Sequence, residues 1–107
     1  MSPKIARSKY GNVKTVVDGM QFSSKKEATR FGQLKLLQKA GKISDLRLQP
    51  KFDLVVCGTK ICKYIADFEY IENGILITED VKGKRTREYL LKKKLMKAVL
   101  KIDIRET

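Results

Sequence analysis

The chain contains no histidine and no tryptophan, only two cysteines and two prolines, and no apolar run approaching the roughly 18–20 residues of a membrane-spanning helix. Without histidine, an enzyme that uses imidazole as general base or metal ligand cannot be built. That removes HNH nucleases, Ser-His-Asp hydrolases, His-dependent phosphodiesterases and thiolate-histidine zinc sites. Cys57 and Cys62 flank Gly58-Thr59 and could face each other across a hairpin. Two thiolates are too few for zinc, and with no signal-peptide h-region after Met1 the thiols are expected to be reduced and the protein soluble and intracellular. No GxxxxGK[ST] run occurs, so a Walker phosphate loop is also excluded.

What the chain has in excess is positive charge. Lys and Arg number 24 against 12 Asp and Glu, a formal net charge of +12 over 107 residues. That excess favours a polyanionic partner, nucleic acid first. The length suits one domain with one active site. Met1–Asn12 is basic and aperiodic and reads as a flexible arm with Lys9 as a phosphate contact, leaving 13–107 as a single domain.

Val13–Phe22 is short and β-prone, with a turn at Asp18-Gly19. Ser24-Lys25-Lys26-Glu27 fits a capping box, and Ala28, Phe31, Leu34 and Leu37 follow at helical spacing, predicting a helix over 24–40 stopped by Gly41. Leu46–Val56 reads as a strand with Pro50 marking an edge or bulge, and Gly58-Thr59 turns the chain into a second strand, Ile61–Glu72. Asn73-Gly74 is a hairpin signal leading into Ile75–Lys82, so three strands form a meander. From Thr86 to Leu100, Leu91, Leu95 and Val99 recur every fourth residue, with Lys92, Lys93, Lys94 and Lys97 on the other faces: an amphipathic helix with a basic back. Lys101–Arg105 alternates and predicts a last strand. The fold class is α/β, a mixed central sheet flanked by helices around one shared core.

Three charged residues stand inside the strand-forming runs. Asp80 and Lys82 share one face of their strand, and Asp67 lies as far before Asn73 as Asp80 lies after Gly74, which sets the two acids opposite each other. Facing carboxylates repel unless a counterion sits between them, and hard oxygen ligands suit Mg2+ or Mn2+. A metal ion of this kind activates water without histidine, and the Lys82 ammonium is placed to orient that water or stabilise phosphate charge. Glu27, beside the stripe of Phe31 and Leu34, is a third acid for the metal shell, or simply the capping-box glutamate. Asp67 and Lys82 also fit an ordinary cross-strand ion pair. Glu79 belongs to the opposite face and is either a surface residue or, with a bulge, the true ligand. Gln49 can reach the site from the first strand, though a plain hydrogen bond to backbone is the more ordinary reading. Tyr64, Phe68 and Tyr70 alternate on the face away from Asp67 and read as core.

An acid-bearing helix, Asp67, then Asp80-Val81-Lys82 in an αβββαβ order resembles the PD-(D/E)XK nuclease superfamily over roughly Val13–Leu100. More narrowly, Lys9-Tyr10-Gly11-Asn12, Asp18-Gly19 with Phe22–Ala28, Leu48-Gln49-Pro50, Ala66-Asp67-Phe68 and Glu79–Gly83 resemble a small phage-encoded endonuclease family, similar to phage endonuclease I and other Holliday-junction resolvases. The resemblance implies a restriction-endonuclease-like core in which Glu27, Asp67 and Asp80 are metal ligands assisted by the Val81 carbonyl and Lys82 is the catalytic lysine. Ala66 stands where that motif has its name-giving proline, and Asp80 replaces the commoner glutamate.

The expected function is therefore a Mg2+-dependent (or Mn2+-dependent) endodeoxyribonuclease acting on branched or recombining phage DNA in a host cytoplasm. Lys9, Lys84, Arg85, Arg87, Lys93 and Lys97 are the expected DNA contacts. A symmetric four-way junction would call for two chains, hence a homodimer. The competing expectation is a non-catalytic nucleic-acid-binding module, or an interaction protein on a degenerate nuclease fold.

Overall fold

The computed structural model describes residues 15–17, 19–82 and 84–107. The arm Met1–Asn12 with Lys9, and also Asp18 and Gly83, lie outside the described residues. A short antiparallel hairpin, β1 (Thr15–Val17) and β2 (Met20–Phe22), opens the fold, with Gly19 at φ +78° in its turn. Helix α1 (Lys25–Lys39) follows. Its N-cap is Ser24, whose hydroxyl accepts from the Glu27 N–H at 3.1 Å. Its end is fixed by Gly41 at φ +80°, where Gly41 N–H bonds the Gln38 carbonyl and Lys42 N–H the Leu37 carbonyl. This double bond over a left-handed glycine satisfies two of the helix's last carbonyls.

The strands expected at Leu46–Val56 and Ile61–Glu72 are each broken in two: β3 (Ser44–Leu48), β4 (Lys51–Val56), β5 (Thr59–Ile65) and β6 (Phe68–Glu72). Pro50 has no N–H to give a ladder, and Gln49 before it stands at φ +52°. On the facing strand Ala66-Asp67 marks the same break. The gap is stitched by Gln49 N–H to the Asp67 carbonyl at 3.0 Å and Ala66 N–H to the Pro50 carbonyl at 3.1 Å. One long hairpin therefore bends at its middle. Its far half, β4–β5, is a separate two-stranded ribbon, and its near half joins β7 (Ile75–Asp80) and β8 (Ile104–Glu106). The expected meander is there, with β3, β6 and β7 antiparallel side by side, and the last strand, β8, adds parallel to β7, giving the order β3-β6-β7-β8. The fold is mixed α/β.

The bend also divides the core. Phe22, Ala28, Phe31, Leu34, Ile43, Phe68 and Tyr70 form one cluster beneath α1, while Leu54, Tyr64, Ala66, Tyr89, Met96 and Ile104 form a second. The single shared core expected from the pattern is thus two clusters on two faces of the sheet. The second helix, α2 (Arg87–Leu95), continues into one π-helical turn, Met96–Leu100, ended by Lys101 at φ +60°. Its buried residues are Tyr89 and Met96, and Leu95 packs against the same cluster, whereas Leu91, the first residue of the expected Leu91-Leu95-Val99 stripe, is 59% exposed. Tyr89 and Met96 stand seven apart on one face of regular α-helix, so the packed stripe runs beside Leu91 rather than through it. Among the described residues no helix is long and apolar enough to cross a membrane.

Candidate active site

The β6–β7 turn sets the site's geometry. Asn73 at φ +52° and Gly74 at φ +78° both adopt the left-handed conformation that a two-residue hairpin turn demands. Register runs from Glu72↔Ile75 to Phe68↔Glu79, and one further step brings Asp67 beside Asp80, where counting outward from Asn73-Gly74 puts them. The Asp67 N–H donates to the Glu79 carbonyl at 3.2 Å, and the Val81 N–H donates to Asp67 Oδ2 at 2.8 Å.

Each carboxyl is held by one oxygen. Asp80 is buried, and its Oδ2 accepts from the Tyr64 hydroxyl and stands 3.3 Å from Lys82 Nζ. The Lys82 ammonium in turn lies 3.9 Å above the Tyr89 ring centre, within cation–π range. Glu27 comes in from the first turn of α1, also buried, with Oε1 accepting from the Ser23 N–H at 3.0 Å and the Ser23 hydroxyl at 3.1 Å. It caps the helix entry one residue earlier than a standard capping box, accepting from Ser23 rather than from Ser24. Asp67 is the common neighbour, in hydrogen-bonding contact with both Glu27 and Asp80. A cavity of about 100 Å³, lined by Met20, Gln21, Phe22, Glu27, Leu48, Gln49 and Asp67, opens beside this contact. Gln49 lines this cavity, and its backbone N–H bonds the Asp67 carbonyl.

Glu79 is neither the surface residue nor the ligand that its neighbourhood to Asp80 left open. It is fully buried on the other face, bound by Arg30 Nε at 2.6 Å and Arg30 Nη2 at 3.0 Å, by the Tyr70 hydroxyl, and by Thr107 Oγ1 at 2.9 Å. Tyr64 departs from expectation in the other direction. It does not share a face with Phe68 and Tyr70, because the break at Ala66-Asp67 delivers residues of equal parity to different clusters, and its hydroxyl belongs to the site. Tyr89 carried no sequence signal beyond its place in an amphipathic helix. Cys57 occupies the β4–β5 turn and Cys62 pairs with Leu54, so the two free thiols do not face each other.

Burial, then the hydrogen-bonded Glu27 and Asp80, push the Asp67 carboxyl up from 3.8 to about 9, against the lowering pull of the Val81 N–H. Burial and Asp80 likewise raise the Tyr64 hydroxyl, keeping it a donor. A carboxyl raised in the folded state gives stability that is complete below its ordinary value and is lost as pH climbs through the folded one. Metal-free stability is therefore expected to fall between about pH 4 and about pH 9. Mn2+ should stabilise more as pH rises, since coordination takes the ionised acid. Thermal unfolding across that range with and without Mn2+ checks this, and a metal effect independent of pH would count against it.

Three carboxyls with hard oxygens, one oxygen of each pinned by protein donors, fit a hard divalent cation in chemistry. Among the described residues, however, no three Asp, Glu, Cys or His side chains form a preformed ligand set; contact runs pairwise through Asp67.

The basic residues named as DNA contacts fall into two groups. Arg85, Lys93 and Lys97 line a groove of about 410 Å³ along α2, with Leu90, Lys94, Ala98, Asp103 and Ile104. All three already meet acids: Arg85 and Lys93 reach Glu106 at 3.4 and 2.9 Å, and Lys97 reaches Asp103 at 2.7 Å. Lys84 and Arg87 are exposed and do not line this groove.

The profile of one protein family, described as a protein of unknown function (DUF1064), matches residues 7–106. No curated protein and no solved structure matches the chain.

Proposed function

The chain belongs to the DUF1064 family, and we propose that it is a divalent-metal-dependent endodeoxyribonuclease that hydrolyses phosphodiester bonds, with branched or recombining DNA as its substrate. The observation that carries this reading is the apposition of Asp67 and Asp80 with Lys82 held 3.3 Å from Asp80 and Glu27 in contact with Asp67. Three acids and an ammonium gathered at the end of a sheet are costly for folding and useful for phosphoryl chemistry. The order α1, bent hairpin, β7, α2, β8 supports an αβββαβ restriction-endonuclease-like core of the PD-(D/E)XK kind.

Glu27, Asp67 and Asp80 would hold Mg2+ or Mn2+, with the Val81 carbonyl alongside. The bound ion would supply Lewis-acid polarisation of a phosphoryl oxygen and an acidified water. The remaining work belongs to the chain. Ser23 N–H, Val81 N–H and the Tyr64 hydroxyl fix the rotamers of Glu27, Asp67 and Asp80. Tyr89 carries the Lys82 ammonium where it can donate to the attacking oxygen or to a phosphate oxygen. Arg85, Lys93 and Lys97 exchange carboxylate partners for backbone phosphates. A symmetric junction substrate would be cut by a homodimer, and the high positive charge suits intracellular nucleic acid.

The deciding experiment incubates the protein with four-way junction, flap, duplex and single-stranded DNA, each with Mg2+, Mn2+ or EDTA. Cleavage that needs metal and favours branched DNA is expected. Tight DNA binding with no cleavage in either metal would instead establish a binding module.

A further inference from the structure

On the α1 side of β7, away from Tyr64 and Tyr89, lies a cleft of about 430 Å³ lined by Lys25, Lys26, Thr29, Arg30, Gln33, Val81 and Thr107. Among the described residues it is lined by three cations and by no Asp or Glu. Hydroxyl and amide groups of Thr29, Thr107 and Gln33 fill the spaces between them, and Val81 is its one apolar side chain. Arg30 is oriented at the wall of this cleft by the buried Glu79, which takes its Nε and Nη2 hydrogens, while Nη1 bonds Gln33 Oε1 at 3.2 Å. The Tyr70 hydroxyl is a further partner of Arg30, so at most one of its five guanidinium hydrogens remains for a ligand. Glu79 offsets the Arg30 charge, whereas Lys25 and Lys26 leave two positive charges exposed at the mouth. The cleft is joined to the acidic site through the backbone: Lys26 Nζ bonds the Lys82 carbonyl at 2.8 Å, and Val81 lies between Asp80 and Lys82.

We infer that this cleft is a phosphate subsite that grips the nucleic-acid backbone next to the bond cleaved at Asp67 and Asp80. The inference rests on the nuclease reading for which strand is gripped. A donor-rich wall with no Asp or Glu side chain among its described residues, and with a fork held rigid by a buried carboxylate, matches the non-bridging oxygens of a phosphodiester. The link through Lys82 makes the cleft and the acidic site two contacts on one strand, one on each side of the β7 end. Lys25 and Lys26 are both exposed, so neither is part of the packed core.

The test is binding without cleavage, so it stands whether or not the protein cuts. Fluorescence anisotropy with labelled junction and duplex DNA is run in EDTA over about 50–200 mM salt for wild type, for Lys25→Ala/Lys26→Ala, and for Lys39→Ala/Lys42→Ala, which removes the same charge at the far end of α1. The cleft variant should bind more weakly, with a log-affinity against log-salt slope shallower by about 2, while the control pair keeps the wild-type slope. Equal changes in both pairs, or none in the first, overturn the inference. A second arm needs no variant: amide shifts of wild-type residues 25–33 are followed with inorganic phosphate and with a short duplex. Shifts with the duplex support a strand contact. Shifts with phosphate alone, or with an acidic peptide as strongly as with DNA, overturn it.

Discussion

Asp80→Asn and Asp67→Asn are each expected to lower metal-dependent cleavage by at least about 10²–10³-fold while leaving DNA affinity in EDTA unchanged. Asparagine keeps the size of the side chain and can still accept from the Tyr64 hydroxyl or the Val81 N–H, so packing is preserved. What it removes is the negative charge. The stability of the two variants should diverge, which separates a catalytic arrangement from a structural one. Asp67 sits against two acids, and burial raises its carboxyl to about 9. A neutral amide there needs no proton to fold, so the metal-free Asp67→Asn protein should unfold at or above the wild-type temperature above neutral pH. Such a gain in stability with loss of activity is the expected mark of a group retained for chemistry. Asp80, by contrast, has Lys82 at 3.3 Å and should lose a modest amount. If Asp80→Asn leaves cleavage intact, or if Asp67→Asn unfolds the protein, the acids are structural and the nuclease reading fails.

The parts of this site that were legible from the residues are those fixed by local rules. A two-residue Asn73-Gly74 turn dictates register, and register alone brings Asp67 to Asp80. Ser24 three residues before Glu27 dictates where α1 starts, and hence that Glu27 faces inward. The illegible parts depend on the bend at Pro50 and Ala66-Asp67. Proline announces an interruption on its own strand, but nothing in Ala66-Asp67 announces that the partner strand breaks too, so side-chain parity was carried through a point where it does not hold. Tyr64 was lost to the site for that reason. Glu79 was ambiguous because its partner, Arg30, lies 49 positions away on α1, and no local pattern links them. The packed face of α2 was not legible because the helix carries apolar residues on adjacent faces, and only tertiary contact with Tyr64 and Ile104 selects the Tyr89–Met96 side.

That Arg30–Glu79 pair is where the largest loss of stability is expected. Glu79 is fully buried, with both oxygens engaged by Arg30, Tyr70 and Thr107. Burial alone would raise its carboxyl, yet the hydrogen bonds from Arg30, Tyr70 and Thr107 outweigh that and hold it below its ordinary value. Arg30→Met removes the only cation of the set and leaves an ionised or newly protonated carboxyl in a dry site. Removing one partner of a buried pair costs about 3–5 kcal/mol, and Arg30 is 22% exposed, which points to the lower end. At about 4 °C per kcal/mol for a domain of this size, Tm should fall by at least about 12 °C. The sign with pH follows from the direction of the Glu79 shift. In wild type its contribution is present above the ordinary carboxylate value and fades as pH falls. In Arg30→Met burial instead raises the carboxyl, so the deficit should be largest at neutral pH and shrink towards about pH 4. Replacing both partners, Arg30→Met with Glu79→Met, should recover most of the loss, because two apolar chains leave no charge to solvate. The pair also ties α1 to β7 one helical turn beyond Glu27. In Arg30→Met, cleavage measured below Tm should therefore fall more than DNA affinity, since the loosened helix no longer holds Glu27 against Asp67. Chemical denaturation from about pH 4 to about pH 8 gives the first result and single-turnover cleavage the second. A loss under about 1 kcal/mol at neutral pH would mean that the carboxylate is solvated and the anchor is not there.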